Sequence, residues 1–404
     1  MKNIVVVGGG HAAAQFCASI AASSHMFHVT LVTEEDCLPY QRPPLSKTWL
    51  KEADPQPAWL RPAKFYSDHG VEVLFGTRAT ALDPDRHTVL LSTGSELTYD
   101  YLVLATGTSA RELPLFKHKP ENVFTLRTLT DARNLRARMQ DSRDVVVFGG
   151  GFIGLEVAAT AASLGKRVTL LEAGDRLLGR SVSPEVSDWL LYAHRASGIK
   201  IELGSLATDF TTDDANLNGV KVHERFFPSD LVVVGIGAVP NIELAQSVGL
   251  HCDNGIVVNE FMQTSNPDIY AIGDCVSFQS AELGRFVRLE SVQNANDQAR
   301  CAAASILNCP VSYQALPWFW SDQGAIRIQI VGIPEAHHDR LLRGDPDGGK
   351  FSVLYFDGDR LTCVESINSP PDHMVARRLI AAKTSIDRKK AADPSVALRT
   401  FEVN

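Results

Sequence analysis

The sequence predicts an α/β fold made of two parallel-sheet βαβ units, one interrupting the other, followed by a small α+β domain. Three observations carry this. Ile4-Val5-Val6-Val7 runs into Gly8-Gly9-Gly10 and an Ala-rich stretch, Val145-Val146-Val147-Phe148 repeats the pattern into Gly149-Gly150-Gly151, and the residues beyond 318 alternate short apolar runs with one helical pattern. A chain of 404 residues is long for one core and fits two or three compact units.

In the first unit, the β-branched run Ile4–Val7 reads as a strand buried on both faces. An Ala-rich helix over 12–22 follows, then a second strand over 28–32, with Glu34 and Glu35 just beyond. Strand, glycine turn, helix and strand is the order of a Rossmann-like unit. Gly8 permits the tight turn, Gly10 lets the backbone approach a pyrophosphate, and Ala13 allows close helix packing, so that the helix N-terminus (His11, Ala12) meets the phosphates. The acid that would accept ribose hydroxyls is displaced by one residue, because Thr33 takes its usual place; Glu34 is the candidate.

The second copy matches at every position: Gly149, Gly151 and Gly154, with Phe152 and Ile153 between them, then a helix through Leu164 and a strand over 167–171 that ends on Glu172. One such glycine motif also serves plain chain reversal. Two of them, each between a strand and a helix and each followed by an acid, select dinucleotide binding twice over. A carboxylate that accepts from a ribose 2′-OH repels a 2′-phosphate, and Ala173-Gly174 follow Glu172 in place of an arginine pair, so NADH is favoured over NADPH. Three further strands run into Gly-containing turns: Tyr101–Gly107, with Ala105 and Thr106 before Gly107; Leu231–Ala238, with Gly237; and Ile269–Asp274, where Gly273 precedes an acid placed for a polyol hydroxyl. Each also reads as a simple strand cap.

The formal net charge of -8 argues against nucleic acid or an anionic membrane as the main partner. Between Ala376 and Thr400, however, seven basic residues stand against two acidic ones, either a solvated helix face or a docking patch for an acidic protein. The N-terminus runs straight into a strand with no export signal, and no apolar run approaches the roughly 20 residues that span a bilayer, so a soluble, cytoplasmic protein is expected. Seven scattered cysteines without a C-x-x-C exclude the common zinc and iron–sulfur ligand patterns and argue against a disulfide framework. Nothing reads as a strong dimer seam, and a monomer is compatible with the sequence.

These motifs, with Pro39-Tyr40-Gln41-Arg42-Pro43-Pro44-Leu45-Ser46-Lys47 and the late Trp318-Phe319-Trp320-Ser321-Asp322-Gln323, resemble the flavoprotein reductases with two dinucleotide sites and a glutathione-reductase-like fold. Within them, the chain is similar to the ferredoxin reductases of bacterial oxygenase systems. The region around Pro39–Lys47 carries a redox-active cysteine pair in the disulfide reductases of the wider group. Here Cys37 stands alone and the next cysteine is Cys252, so a thiol relay is not available and electrons must leave the flavin directly.

The resemblance implies FAD and NADH as cofactors and a two-iron two-sulfur ferredoxin as partner, feeding a monooxygenase or dioxygenase. It implies Lys47 at the isoalloxazine with Glu156 as its charge partner, these two being the catalytic pair. It places Arg42 and Arg127 near the FAD phosphates, Asp274 at the ribityl chain, and Ala79, Val292 and Trp320 among the FAD contacts. It places Arg180 and Gly237 on the NADH side. Trp318 and Trp320 fit the core of the last domain equally well. The implied domains are 1–112 with 235–317 for FAD, 113–234 for NADH, and 318–404 as the α+β domain. An NADH oxidase, a rubredoxin reductase or another small-acceptor reductase of the same fold is the alternative. A DNA-binding redox sensor like the apoptosis-inducing flavoproteins is disfavoured by the acidic balance.

Overall fold

The computed structural model describes residues 1–117, 120–213 and 215–402. The chain forms two compact units, one of Met1–Gln41, Pro57–Ser109 and Val239–Ala315, the other of Arg42–Gln56, Ala110–Ala238 and Leu316–Asn404. The break after Gln41 falls inside the Pro39–Lys47 motif and gives Arg42 and Lys47 to the second unit. The portions read from sequence as 113–234 and 318–404 share that unit, because the helix Phe152–Ser163 packs on both the strand Trp318–Gln323 and the turn Pro43–Ser46.

The first unit is built on a five-stranded parallel sheet in the order Ile269–Ala271, Tyr101–Leu104, Lys2–Val7, Phe27–Val32, Val71–Leu74. Ile4, Val6, Leu31, Leu102 and Leu104 are all fully buried, as a sheet covered on both faces requires. Each such aliphatic side chain contributes about 1.5–3 kcal/mol through burial. The helix His11–Ile20 lays Ala12, Ala13, Phe16, Cys17 and Ile20 into this core. It ends two residues earlier than the Ala-rich pattern suggests. Ala21–Met26 tightens into a 3-10 turn whose Ser23 leaves helical geometry, in keeping with the tendency of serine to favour turns over helix interiors.

The second unit holds another five-stranded parallel sheet, ordered Lys200–Glu202, Arg167–Leu171, Asp144–Phe148, Leu231–Val234, Val123–Phe124. A five-stranded antiparallel sheet follows, ordered Trp318–Gln323, Ile326–Val331, Arg360–Ile367, Lys350–Asp357, Asp339–Asp345, with the helix Pro370–Ala381 against it. The last strand in that order escapes a reading by alternation because it is a charged edge. Only Arg343 of Asp339–Asp345 is buried, and it donates to Asp372 and to the carbonyls of Ala391 and Asp393.

Candidate active site

Both glycine turns sit at the carboxyl ends of their parallel strands, where sheets of this kind bind ligands. Gly8 and Gly149 have φ of +122° and +99°, and a Cβ on either would stand 2.2 Å from the Ala105 carbonyl oxygen or 2.4 Å from that of Gly235. Only glycine fits there. At Gly10, by contrast, nothing lies within 4 Å of an added Cβ, and at Gly151 only the Gly235 carbonyl comes within that range, at 3.9 Å. Those two positions face open space at the N-caps of His11–Ile20 and Phe152–Ser163. Neither helix has a side-chain cap or an acid in its first turn. Two uncapped, acid-free helix N-termini behind open glycine cradles fit two dinucleotide pyrophosphates.

In the first unit, Ala105, Thr106 and Gly107 follow the strand Tyr101–Leu104, and Thr106 donates to the Asn241 carbonyl. Gly273 and Asp274 follow Ile269–Ala271, with the Gly273 N–H donated to Gln298 and Arg288 reaching the Asp274 carbonyl. Ala12 and Ala13 are buried and His11 is half-buried at the helix start. Val292 opens a helix capped by Ser291, and Ala79 lies buried in the strand Ala79–Asp83. Thr33 fills the space under Gly9, and Glu34 beyond it is exposed, 3.6 Å from Arg78.

In the second unit, both oxygens of Glu172 accept backbone N–H groups, from Gly150 at 2.5 Å and from Gly174 at 2.6 Å. The carboxylate is thus fixed at the end of the strand Arg167–Leu171, beside the glycine turn. Gly154 packs its Cα face on the Gly149 carbonyl, Ile153 and Arg180 are exposed, and the Gly237 carbonyl accepts from Arg111. Arg42 donates to the Arg127 carbonyl at 2.8 Å, so these two phosphate candidates are brought together.

The same unit assembles the charged pair. Glu156 is 4% exposed, and its Oε2 lies 2.6 Å from Lys47 Nζ. Ser46 donates to the same oxygen at 2.5 Å, and Ser321 donates to Oε1 at 2.7 Å. Lys47 also donates to the Pro43 carbonyl at 3.0 Å. Helix and strand periodicities build this arrangement. Phe152, Glu156 and Thr160 recur at four-residue spacing along one helix face, while Phe319, Ser321 and Gln323 share one face of their strand. Phe152 meets Phe319 with ring centroids 4.5 Å apart, Glu156 meets Ser321, and Thr160 donates to the Ser46 carbonyl. Trp318 and Trp320 occupy the other strand face and stack on each other at 5.6 Å. Reading by motif identifies Lys47 and Glu156 but passes over Ser46, Thr160 and Ser321; the signal that could have found them is that facing periodicity.

Cys17, Cys252, Cys275, Cys301, Cys309 and Cys363 are thiols outside any disulfide, and Cys37 is half-buried. The described residues contain no helix long and apolar enough to cross a membrane.

A nucleotide-binding α/β frame with two cofactor turns and a buried Lys–Glu pair in place of a cysteine couple defines a flavin- and pyridine-nucleotide-dependent reductase. The chain belongs to the pyridine nucleotide-disulphide oxidoreductases, whose family model matches residues 2–299, and the Reductase C-terminal model matches residues 318–402. It is 41% identical over 401 residues to rhodocoxin reductase of Rhodococcus erythropolis, covering 98% of this chain and 93% of that protein. It is 38% identical over 408 residues to the ferredoxin–NAD(+) reductase component of the p-cumate 2,3-dioxygenase system of Pseudomonas putida, covering 100% and 99%. The solved covalent complex of putidaredoxin reductase with putidaredoxin superposes with a TM-score of 0.95 at 39% identity, over 99% of this chain and 98% of that one.

Proposed function

We propose that this enzyme oxidises NADH and passes the electrons through FAD to a two-iron two-sulfur ferredoxin that feeds a monooxygenase or dioxygenase. FAD, when bound, takes up the hydride as a two-electron unit and gives the electrons out singly. The observation that carries the reading is the buried Lys47–Glu156 pair, in a chain whose Cys37 is followed by no other cysteine before Cys252. A thiol relay needs two sulfurs; this site supplies a fixed ammonium instead.

In this reading the residue roles are those the family resemblance implies. Gly8, Gly10, His11, Ala12 and Ala13 present backbone N–H groups to the FAD pyrophosphate, Glu34 serves its ribose, and Ala79, Ala105, Thr106, Gly107, Gly273, Asp274 and Val292 line its length. Arg42 and Arg127 neutralise phosphate charge, and Trp320 offers an aromatic face. Lys47 holds a positive charge for the reduced ring, and Glu156 keeps that ammonium in place. On the NADH side, Gly149, Gly151, Phe152, Ile153 and Gly154 form the pyrophosphate turn, Glu172 accepts from the adenine ribose, and Arg180 and Gly237 stand by the rest of the cofactor. The FAD domain is assigned to 1–112 and 235–317, the NADH domain to 113–234 and the α+β domain to 318–404. The enzyme works in the cytoplasm as a monomer.

The test is an anaerobic titration of the purified holoprotein with NADH and with NADPH, followed by a two-iron two-sulfur ferredoxin from an oxygenase system. Flavin bands should bleach with NADH at far lower concentration than with NADPH, and the ferredoxin should then be reduced. Bleaching by NADH with no ferredoxin reduction and rapid oxygen uptake would move the assignment to a small-acceptor oxidase.

A further inference from the structure

Ser321, Gln323 and His194 form a buried polar line that ends on the Glu156 carboxylate. Ser321 Oγ lies 2.7 Å from Glu156 Oε1, Gln323 Nε2 lies 3.3 Å from Ser321 Oγ, and His194 Nε2 lies 2.7 Å from Gln323 Oε1. All three side chains are 1% exposed or less. They come from two elements, the strand Trp318–Gln323 and the helix Pro184–Ala196, of one compact unit.

The donors can be assigned from the far end. Glu156 is engaged as a carboxylate by Lys47 and can only accept, so the Ser321 hydroxyl must donate to it. The lone pairs of Ser321 then take the Gln323 amide N–H, which turns the Gln323 oxygen toward His194 and requires the proton on Nε2 of that ring. Burial pushes the His194 imidazole below its ordinary pKa, the direction a neutral, singly protonated ring needs. Every donor in the line therefore points the same way, toward Glu156. At that burial the line is closed to bulk solvent.

We propose that Ser321 is a positioning residue for the Lys47–Glu156 pair, oriented by Gln323 and His194. With Ser321 donating to Oε1, and Ser46 and Lys47 meeting Oε2, each carboxylate oxygen has its own partners and the plane cannot turn. Without the Ser321 hydroxyl, Oε1 is a buried, unsatisfied acceptor. The carboxylate then rotates to share the remaining donors, and the ammonium loses its fixed place. The inference deepens the functional reading above and rests on it for the effect on flavin reduction, not for the effect on Lys47.

The test compares S321A, S321T and Q323M with wild type as full-length holoprotein. In protein labelled with 15N-lysine, the Lys47 ammonium should give a slowly exchanging NMR signal, identified by its loss in K47R. S321A should broaden that signal away, S321T should restore it, and Q323M should weaken it even if S321A fails to fold. In stopped-flow reduction, S321A should lower the saturating rate with NADH about tenfold, the scale of one lost hydrogen bond to a charge, with NADH affinity unchanged. A wild-type Lys47 signal in both S321A and Q323M, or in Q323M alone if S321A does not fold, overturns the proposal. A wild-type flavin that NADH does not reduce would sink the functional reading instead, and the Lys47 signal would still decide this one.

Discussion

Lys47 Nζ stands 2.6 Å from Glu156 Oε2 in a site where the lysine is 19% and the glutamate 4% exposed. A buried pair of this kind loses about 3–5 kcal/mol when one member is removed, because the other is left uncompensated. E156A and K47A should therefore each lower the unfolding free energy by roughly that order, less where water reaches Lys47. The double change to K47M and E156L should recover part of it. Chemical denaturation of the four proteins checks this, and strictly additive losses would contradict a direct pair.

Glu172 is fixed by backbone N–H groups of Gly150 and Gly174, and the proposed function gives it the adenine ribose and with it the nucleotide preference. E172A should raise the KM for NADH by roughly tenfold, about the 1.4 kcal/mol of one ribose hydrogen bond, while improving use of NADPH. Steady-state kinetics with both nucleotides give the ratio. An unchanged ratio would remove Glu172 from the ribose site.

Substitution at the two tight glycines should act on the backbone first. In G149A the new methyl would meet the Gly235 carbonyl oxygen at 2.4 Å with φ at +99°, and the turn must move. A stability loss of about 1–3 kcal/mol is expected, together with loss of NADH binding but retention of bound FAD. G8A, which meets the Ala105 carbonyl oxygen at 2.2 Å, should instead yield a colourless protein. Flavin absorbance and nucleotide binding of the two variants separate the sites.

His373 gives the second unit a dependence on acid. It is buried with its ring edge-on to Trp318, neither ring nitrogen has a hydrogen-bond partner among the described residues, and Arg377 lies over the same tryptophan. Burial first and Arg377 second push its pKa down from 6.5 to about 4. A depressed value means that the fold holds the neutral ring, so the stability tied to it is present above pH 6.5 and is lost as pH falls toward 4. His194, also depressed by burial, acts in the same sense. Between pH 7 and 4.5 the His373 part is about 2–3 kcal/mol, and H373F should remove that part of the slope in thermal or urea unfolding.

Much of the fold is legible because buried parallel strands leave a compositional mark. Ile4–Val7 and Val145–Phe148 are continuous apolar runs because both faces of their sheets are covered, and the turns after them need glycine for steric reasons that act within a few residues. The charged edge strand Asp339–Asp345 left no such mark, since its one buried side chain is the charged Arg343, most of the others face water, and its pairing with Lys350–Asp357 is made by the backbone. Motif reading carried Lys47 and Glu156 as a pair, but the sequence separates Ser46 from Ser321 by more than half the chain. No local pattern says that one carboxylate will gather both.

The sequence by itself determined that this protein has two glycine-turn nucleotide sites, an acid at the end of the second, and no cysteine couple to relay electrons. Those features depend on residue type and short spacing, which act through local sterics and charge. Only the tertiary structure decided that Thr33 and not Glu34 sits under Gly9, that Arg42 reaches the Arg127 carbonyl, and that Ser46, Lys47 and Ser321 converge on Glu156. Packing made those choices: a buried carboxylate must be satisfied on every oxygen, and the partners that satisfy it are whichever donors the facing turn and strand bring within 3 Å.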